Sequence, residues 1–177
     1  MNSATFISDI KQIRANARQH IEDGAVTAGY ELDRDSVINM LNGALATEII
    51  CTLRYKQHYY MCDGFNAQAA ADEFLEHANQ EQEHADKLAE RIAQLGGTPD
   101  MDPAHLSDNA HSEYVPATSV DEMIKENLIA ERIAIDSYRE MIDYLGEKDS
   151  TTRRIIEEIL AVEEEHADDL AALLQAA

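Results

Sequence analysis

A glutamate and a histidine three residues apart on a helix share one face, about one turn apart, and can grip one metal ion together. Glu81 and His84 have that spacing, and so do Glu163 and His166. With 19 Glu and seven His in the chain, about one such pair is expected by chance, so a lone copy would say little. The flanking residues say more. Glu81-Gln82-Glu83-His84-Ala85-Asp86-Lys87-Leu88-Ala89 reads against Glu163-Glu164-Glu165-His166-Ala167-Asp168-Asp169-Leu170-Ala171 as an internal repeat.

The repeat extends upstream. Glu48 precedes Glu81 by 33 residues and Glu131 precedes Glu163 by 32, each inside an apolar run, and each is followed seven residues later by a tyrosine, Tyr55 and Tyr138. A carboxylate on the apolar stripe of a helix is costly unless it is paired or bound to metal, so two in equivalent places call for one explanation. A shared metal site with six candidate ligands, Glu48, Glu81, His84, Glu131, Glu163 and His166, supplies it.

These residues need long helices to carry them. Asp33 or Asp35 can cap a helix reaching about Cys62; Gly64 breaks it, Asn66 can cap a second running to Leu95, and Gly96-Gly97 ends that one. Residues 98–118 hold all three prolines and read as a long connection. Ser119-Val120-Asp121-Glu122 is a capping box opening a third helix that stops at Gly146, and Asp149 or Ser150 caps a fourth. Nothing alternates with period two, so no sheet is expected. The two short turns force antiparallel neighbours, while a connection of this length can run the length of the bundle and leave the second and third helices parallel. Glu48 then lies level with Glu81, and Glu131 with Glu163, near mid-bundle. The expected fold is an all-α four-helix bundle over residues 33–177, preceded by an N-terminal helix and linker over residues 1–32. In that segment Phe6, Ile10, Ile13, Ala17 and Ile21 form an apolar stripe across residues 4–22, with Gly24 as C-cap.

At 177 residues one domain suffices. The first residues lack the basic start and apolar core of a signal peptide, and no run of about 18 apolar residues occurs, so a cytoplasmic protein with no membrane span is expected. Cys51 and Cys62, about 16 Å apart along one helix, are too distant to bridge each other and read as reduced thiols. A net charge of −21 argues against nucleic acid and anionic membranes as partners and suits a collector of cations.

Four carboxylates balance two divalent ions, and hard oxygens with two imidazoles suit iron, with manganese the alternative. Two such ions about 3.5 to 4 Å apart can supply two electrons to dioxygen or peroxide. From about Asp33 onward the chain resembles the ferritin-like superfamily, most closely bacterioferritin, in which this ligand pattern is already known. The resemblance implies two iron ions per subunit, with Glu48 and His84 terminal on one, Glu131 and His166 terminal on the other, and Glu81 and Glu163 bridging. It also implies a hydrogen-bonding role beside the metals for Tyr55 and Tyr138.

Three departures qualify the resemblance. Bacterioferritins place a haem-ligating Met directly after the first Glu-x-x-His glutamate; here it is Gln82, so no haem is expected. Eleven residues follow His166, too few for the fifth helix of 24-subunit cages, and the N-terminal 32 residues have no bacterioferritin counterpart. Both features look more like Dps-type mini-ferritins, so a homo-oligomer of 12 subunits is favoured over 24. The expected function is ferroxidase activity with iron storage or detoxification in a shell. The alternatives are a non-storing diiron or dimanganese oxidoreductase acting on peroxide, and a Dps-like DNA-protecting shell. Rubrerythrin is disfavoured, since its rubredoxin part needs four cysteines. Of the other histidines, His58, His105 and His111 read as solvated, His20 as lying at a frayed helix end, and His77 as a packed or surface residue with an iron-transit role as its alternative.

Overall fold

The computed structural model describes residues 9–63 and 67–176, and every regular element among them is helical. The α-helices are α1 (Ile10–Asn16), α2 (Arg34–Met61), α3 (Gln68–Gln94), α4 (Pro103–Asn109), α5 (Val120–Leu145) and α6 (Ser150–Ala176). Local chemistry sets their ends. Asp33 accepts the Ser36 N–H at 3.1 Å to open α2, and the reciprocal Ser119–Glu122 box opens α5. Asp149 accepts the Thr152 N–H at 2.9 Å at the start of α6. After α3 the Gly97 N–H reaches Ile92 O and the Gly96 N–H reaches Ala93 O, both at 2.9 Å, with Gly96 at φ +80°. That left-handed turn is where glycine carries no Cβ penalty. The Gly64 break and the Asn66 cap lie outside the described residues.

Cross-helix contacts give the topology. Tyr55 meets Glu131 and His58 meets Asn127, so α2 and α5 run in opposite directions. Arg91 meets Thr152 and Gln80 meets His166, so α3 and α6 do too. With α2–α3 and α5–α6 as the extensively packed hairpins, α3 and α5 are parallel, as the long connection permits. That connection contains a helix not placed from the sequence. It holds α4, which opens on Asp102 and Pro103 and buries Leu106 against Ala46 and Ile50 of α2, because an apolar side chain in a polar crossover needs cover. The His111 N–H then bonds Thr47 Oγ1 at 2.9 Å.

The bundle interior has two apolar parts. One is built on Val37, Leu41, Leu45, Leu88, Ile92, Leu95, Tyr138, Leu145, Ile156 and Ile159, the other on Tyr55, Phe74, Ala78, Met123, Ile124 and Leu170. On all four long helices the sequence between these parts is where the six candidate ligands fall. Among the described residues α2 is the one helix long and apolar enough to cross a membrane; it is also the bundle's core helix, and it buries Glu48 and Arg54.

The N-terminal expectation needs correction. The described helix stops at Asn16, a 3-10 turn follows at Ile21–Asp23, and Gly24 closes that turn rather than a helix over residues 4–22. Ile10, Ile13 and Ile21 are exposed, with no apolar surface covering them among the described residues; Phe6 lies outside the described residues. The linker does dock. Val26, Tyr30 and Leu32 pack on the first apolar part, and the Tyr30 hydroxyl donates to Asp149 at 2.9 Å. Cys51 is a buried free thiol and Cys62 a half-buried one.

Candidate metal centre

Each hairpin contributes three of the six residues: Glu48, Glu81 and His84 from α2–α3, and Glu131, Glu163 and His166 from α5–α6. All are at most 2% exposed. The structure gathers them into two overlapping groups, Glu48–Glu81–His84–Glu163 and Glu81–Glu131–Glu163–His166, in each of which one ligand atom per residue lies within 4.8 Å of all the others. Glu81 and Glu163 belong to both. Nδ1 of His84 lies 2.9 Å from Glu163 Oε1, 3.5 Å from Glu48 Oε2 and 3.7 Å from Glu81 Oε2. Nδ1 of His166 lies 3.4 Å from Glu163 Oε2, 3.5 Å from Glu81 Oε1 and 3.9 Å from Glu131 Oε2. Each shared carboxylate thus turns one oxygen to each imidazole.

Buried polar atoms are normally hydrogen-bonded. Among the described residues ten buried side-chain nitrogens and oxygens have no hydrogen-bond partner, and eight of them belong to these six residues. Orphans that converge on one place, in a set of carboxylates and imidazoles, fit divalent cations.

Electrostatics carry the same imprint. Burial, and then the charges of Glu81 and Glu163, push Glu48 and Glu131 well above the usual carboxylate range. Burial works against the charged form of Glu81 as well, but contacts donated by Glu48, His166 and His84 hold it below its ordinary value. For the imidazoles burial favours the neutral ring, yet the facing carboxylates prevail, raising His84 to about 9 and His166 to about 12.

Around the six lies a supporting set. Nε2 of His166 pairs with Gln80 Oε1 at 2.8 Å; since that oxygen can only accept, Nε2 carries the proton and Nδ1 is left to face the carboxylates. The Tyr55 hydroxyl donates to Glu131 Oε1. Tyr138 is fully buried at the equivalent position, but its hydroxyl has no hydrogen-bond partner among the described residues. His77 is buried, stacks on His166 with ring centroids 3.9 Å apart and contacts the Tyr55 oxygen through Nδ1 at 3.2 Å. Burial and then the His166 charge push it down to about 3.

His58, expected to be solvated, is buried at the end of α2, and burial with the Arg54 charge pushes it down to about 4. Asn127 lies against the ring: its side chain meets His58 Nδ1 at 3.1 Å and accepts from Arg54 Nε at 2.9 Å. Arg54 also donates to Glu113 O at 2.8 Å, tying the crossover to the bundle. Sequence reading missed Arg54 and Gln80: their partners lie 59 to 86 residues away, and no local pattern marks them. His20, His105 and His111 are exposed.

Comparison with known proteins gives this geometry a context. Residues 38–177 match the ferritin-like domain family. The chain is 30% identical over 138 residues to the bacterioferritin of Rhodobacter capsulatus, covering 76% of this chain and 80% of that one. It is also 30% identical over 139 residues to a nutrient stress-induced DNA-binding protein of a Nostoc species, covering 76% and 74%. Among solved structures, the bacterioferritin-related protein of Bacteroides fragilis, a dodecameric thioferritin, superposes with a TM-score of 0.79 at 35% identity, covering 82% of this chain and 88% of that one.

Proposed function

The chain belongs to the ferritin-like family, and on that premise we propose that it is a ferroxidase, oxidising ferrous iron at a two-metal centre within each subunit and storing or detoxifying the product in an oligomeric shell. The observation that carries this reading is the sharing of Glu81 and Glu163 between two ligand groups, each turning one oxygen to His84 and one to His166. Glu48 with His84 and Glu131 with His166 complete the two sets.

Iron is the substrate. Each of two ferrous ions gives one electron; the pair reduces dioxygen with two protons to hydrogen peroxide, or peroxide with two protons to two waters. The chain's own contribution is position and environment. Gln80 fixes the His166 tautomer, the Tyr55 hydroxyl holds Glu131 in place, and the two apolar parts above and below keep bulk water from the carboxylates. No haem is part of this reading: the exposed Gln82 donates its amide to Asp86 at 3.0 Å and offers no thioether.

For the shell we take 12 subunits, as the Bacteroides fragilis relative is dodecameric. Ile10, Ile13, Leu53, Tyr60, Ile129 and Tyr144 are large apolar side chains exposed on one chain, as intersubunit contacts require. The Nostoc relative gives one observation in favour of a DNA-protecting shell; a charge of −21 opposes it, and a salt-dependent gel shift with duplex DNA would separate the two readings.

The test is anaerobic loading followed by air or peroxide. Wild type should oxidise two ferrous ions per chain in a fast phase, and Glu81→Ala or Glu163→Ala, each removing a contact to both ions, should lose most of that phase. Oxidation at the wild-type rate in either variant would refute the ligand assignment.

A further inference from the structure

Next to the six residues lies a second cluster that they do not use. Nε2 of His77 faces Glu73 Oε2 at 3.6 Å and Asp169 Oδ2 at 3.9 Å, and the three ligand atoms lie within 4.8 Å of one another. The two carboxylates are partly open to solvent, with 35% and 46% of their side chains exposed, whereas the His77 side chain is 2% exposed. Among the described residues no lysine or arginine pairs with either carboxylate, and Nε2 makes no hydrogen bond.

The hydrogen-bond inventory says what the cluster lacks. The Tyr55 hydroxyl donates its single proton to Glu131 Oε1 and has none left for His77. The contact of His77 Nδ1 with the Tyr55 oxygen then requires Nδ1 to donate, which leaves the lone pair on Nε2. That lone pair points at two carboxylates, which are also acceptors. Three acceptors aimed at one another lack a cation between them, and gaps of 3.6 and 3.9 Å exceed only slightly the spacing of about 3.4 Å between ligand atoms around a tetrahedral ion.

His77 has a second membership. Its ligand atom also groups with those of Glu131 and His166 within 4.8 Å, and its ring lies flat on that of His166. One buried imidazole therefore stands between a solvent-facing pair of carboxylates and the buried centre, whose residues are themselves closed to water.

We propose that Glu73, His77 and Asp169 form a third divalent-cation site at the mouth of the route to the buried pair, with His77 as the side chain past which the ion is handed to the Glu131–His166 set. This rests on reading the inner six residues as a metal centre, and the test keeps the two claims apart. Cobalt(II) is titrated anaerobically into the assembled protein, with bound ions counted per chain, for wild type, Glu73→Gln/Asp169→Asn and Glu81→Gln/Glu163→Gln. The outer variant changes only partly exposed carboxylates to isosteric amides, so its fold is preserved. Wild type is expected to bind three ions per chain, and the outer variant two. The inner variant is expected to keep one ion, which is lost when the outer pair is replaced as well. That last result supports the outer site even if the inner pair proves not to hold iron. A count that does not fall by one on replacing Glu73 and Asp169 overturns the site. For the handover, ferrous iron below two per chain is mixed with air: the initial oxidation rate of the outer variant is expected to fall at least fivefold, and an unchanged rate overturns the transit role.

Discussion

Filling the buried centre should expel four protons for every two divalent ions. Burial and the charges of Glu81 and Glu163 raise Glu48 and Glu131 well above the usual carboxylate range and favour their protonated forms. His84 and His166, raised to about 9 and about 12, carry protons because carboxylates face their Nδ1 atoms. With both imidazoles protonated at pH 7 and both carboxyls favouring the protonated form, four protons are expected to leave before all four groups can ligate. Two ions bring four positive charges and four protons take four away, so the net charge of the cluster does not change. The sign follows directly: affinity rises with pH while the four groups stay protonated without metal. The combined constant for two ions then climbs up to about 10⁴-fold per pH unit, or about 5.4 kcal/mol at 1.36 per proton. Above about pH 9, where His84 loses its own proton, the slope declines. Calorimetry with Zn²⁺ at pH 7, in buffers of differing ionisation enthalpy, reads the proton count directly. Glu48→Gln should reduce it to three and Tyr55→Phe should leave it at four. Release of fewer than two protons per ion pair, or a pH-independent affinity, would refute the reasoning.

Other expectations are simpler. Arg91 is buried and bonds Asp149 at 3.1 Å and Thr152 at 2.8 Å, so Arg91→Ala leaves a buried carboxylate without its cation; a loss of about 3 kcal/mol, lowering Tm by roughly 6–12 °C, should appear in a thermal melt. A Cβ on Gly97 would meet Ile38 Cγ2 at 2.7 Å, so Gly97→Ala should cost about 1–3 kcal/mol, and Ile38→Ala should recover part of it in a double-mutant cycle. His58, with its folded value near 4 against an ordinary 6.5, gives stability that is full above pH 6.5 and lost as pH falls towards 4; denaturant midpoints of His58→Gln should show a shallower fall over that window than wild type. Light scattering should find twelve chains of 19.8 kDa, roughly 240 kDa, and a particle near 40 kDa would remove mineral storage.

The helices and the six clustered residues were legible because both are written in local spacing. A Glu-x-x-His pair, a carboxylate inside an apolar run and a capping box each reveal themselves within ten residues, and two short turns convert spacing into height. What stayed hidden depends on partners far along the chain. Arg54 looks like any helical arginine until Asn127 and Glu113 are brought to it, and His58 looks like a loop-side histidine until the same Asn127 covers it. Tyr55 and Tyr138 occupy equivalent sequence positions but differ in structure, since only Tyr55 has Glu131 within reach of its hydroxyl. The N-terminal stripe has the right period for a longer helix, but period alone does not supply a surface to lie on, and the described helix ends at Asn16.

The crossover between α3 and α5 supplies none of the six residues. Each hairpin holds three members of one four-residue set and takes the fourth from its counterpart, so the centre is a two-fold object made of two near-equivalent halves joined by a tether. A tether of this kind does not shape the site; it sets the local concentration at which one half meets the other. A chain cut at the exposed residues 101–102 would still contain both halves whole, and two identical hairpins meeting as a homodimer would already present the same paired ligand sets. The geometry is that of a two-fold interface carried within one chain.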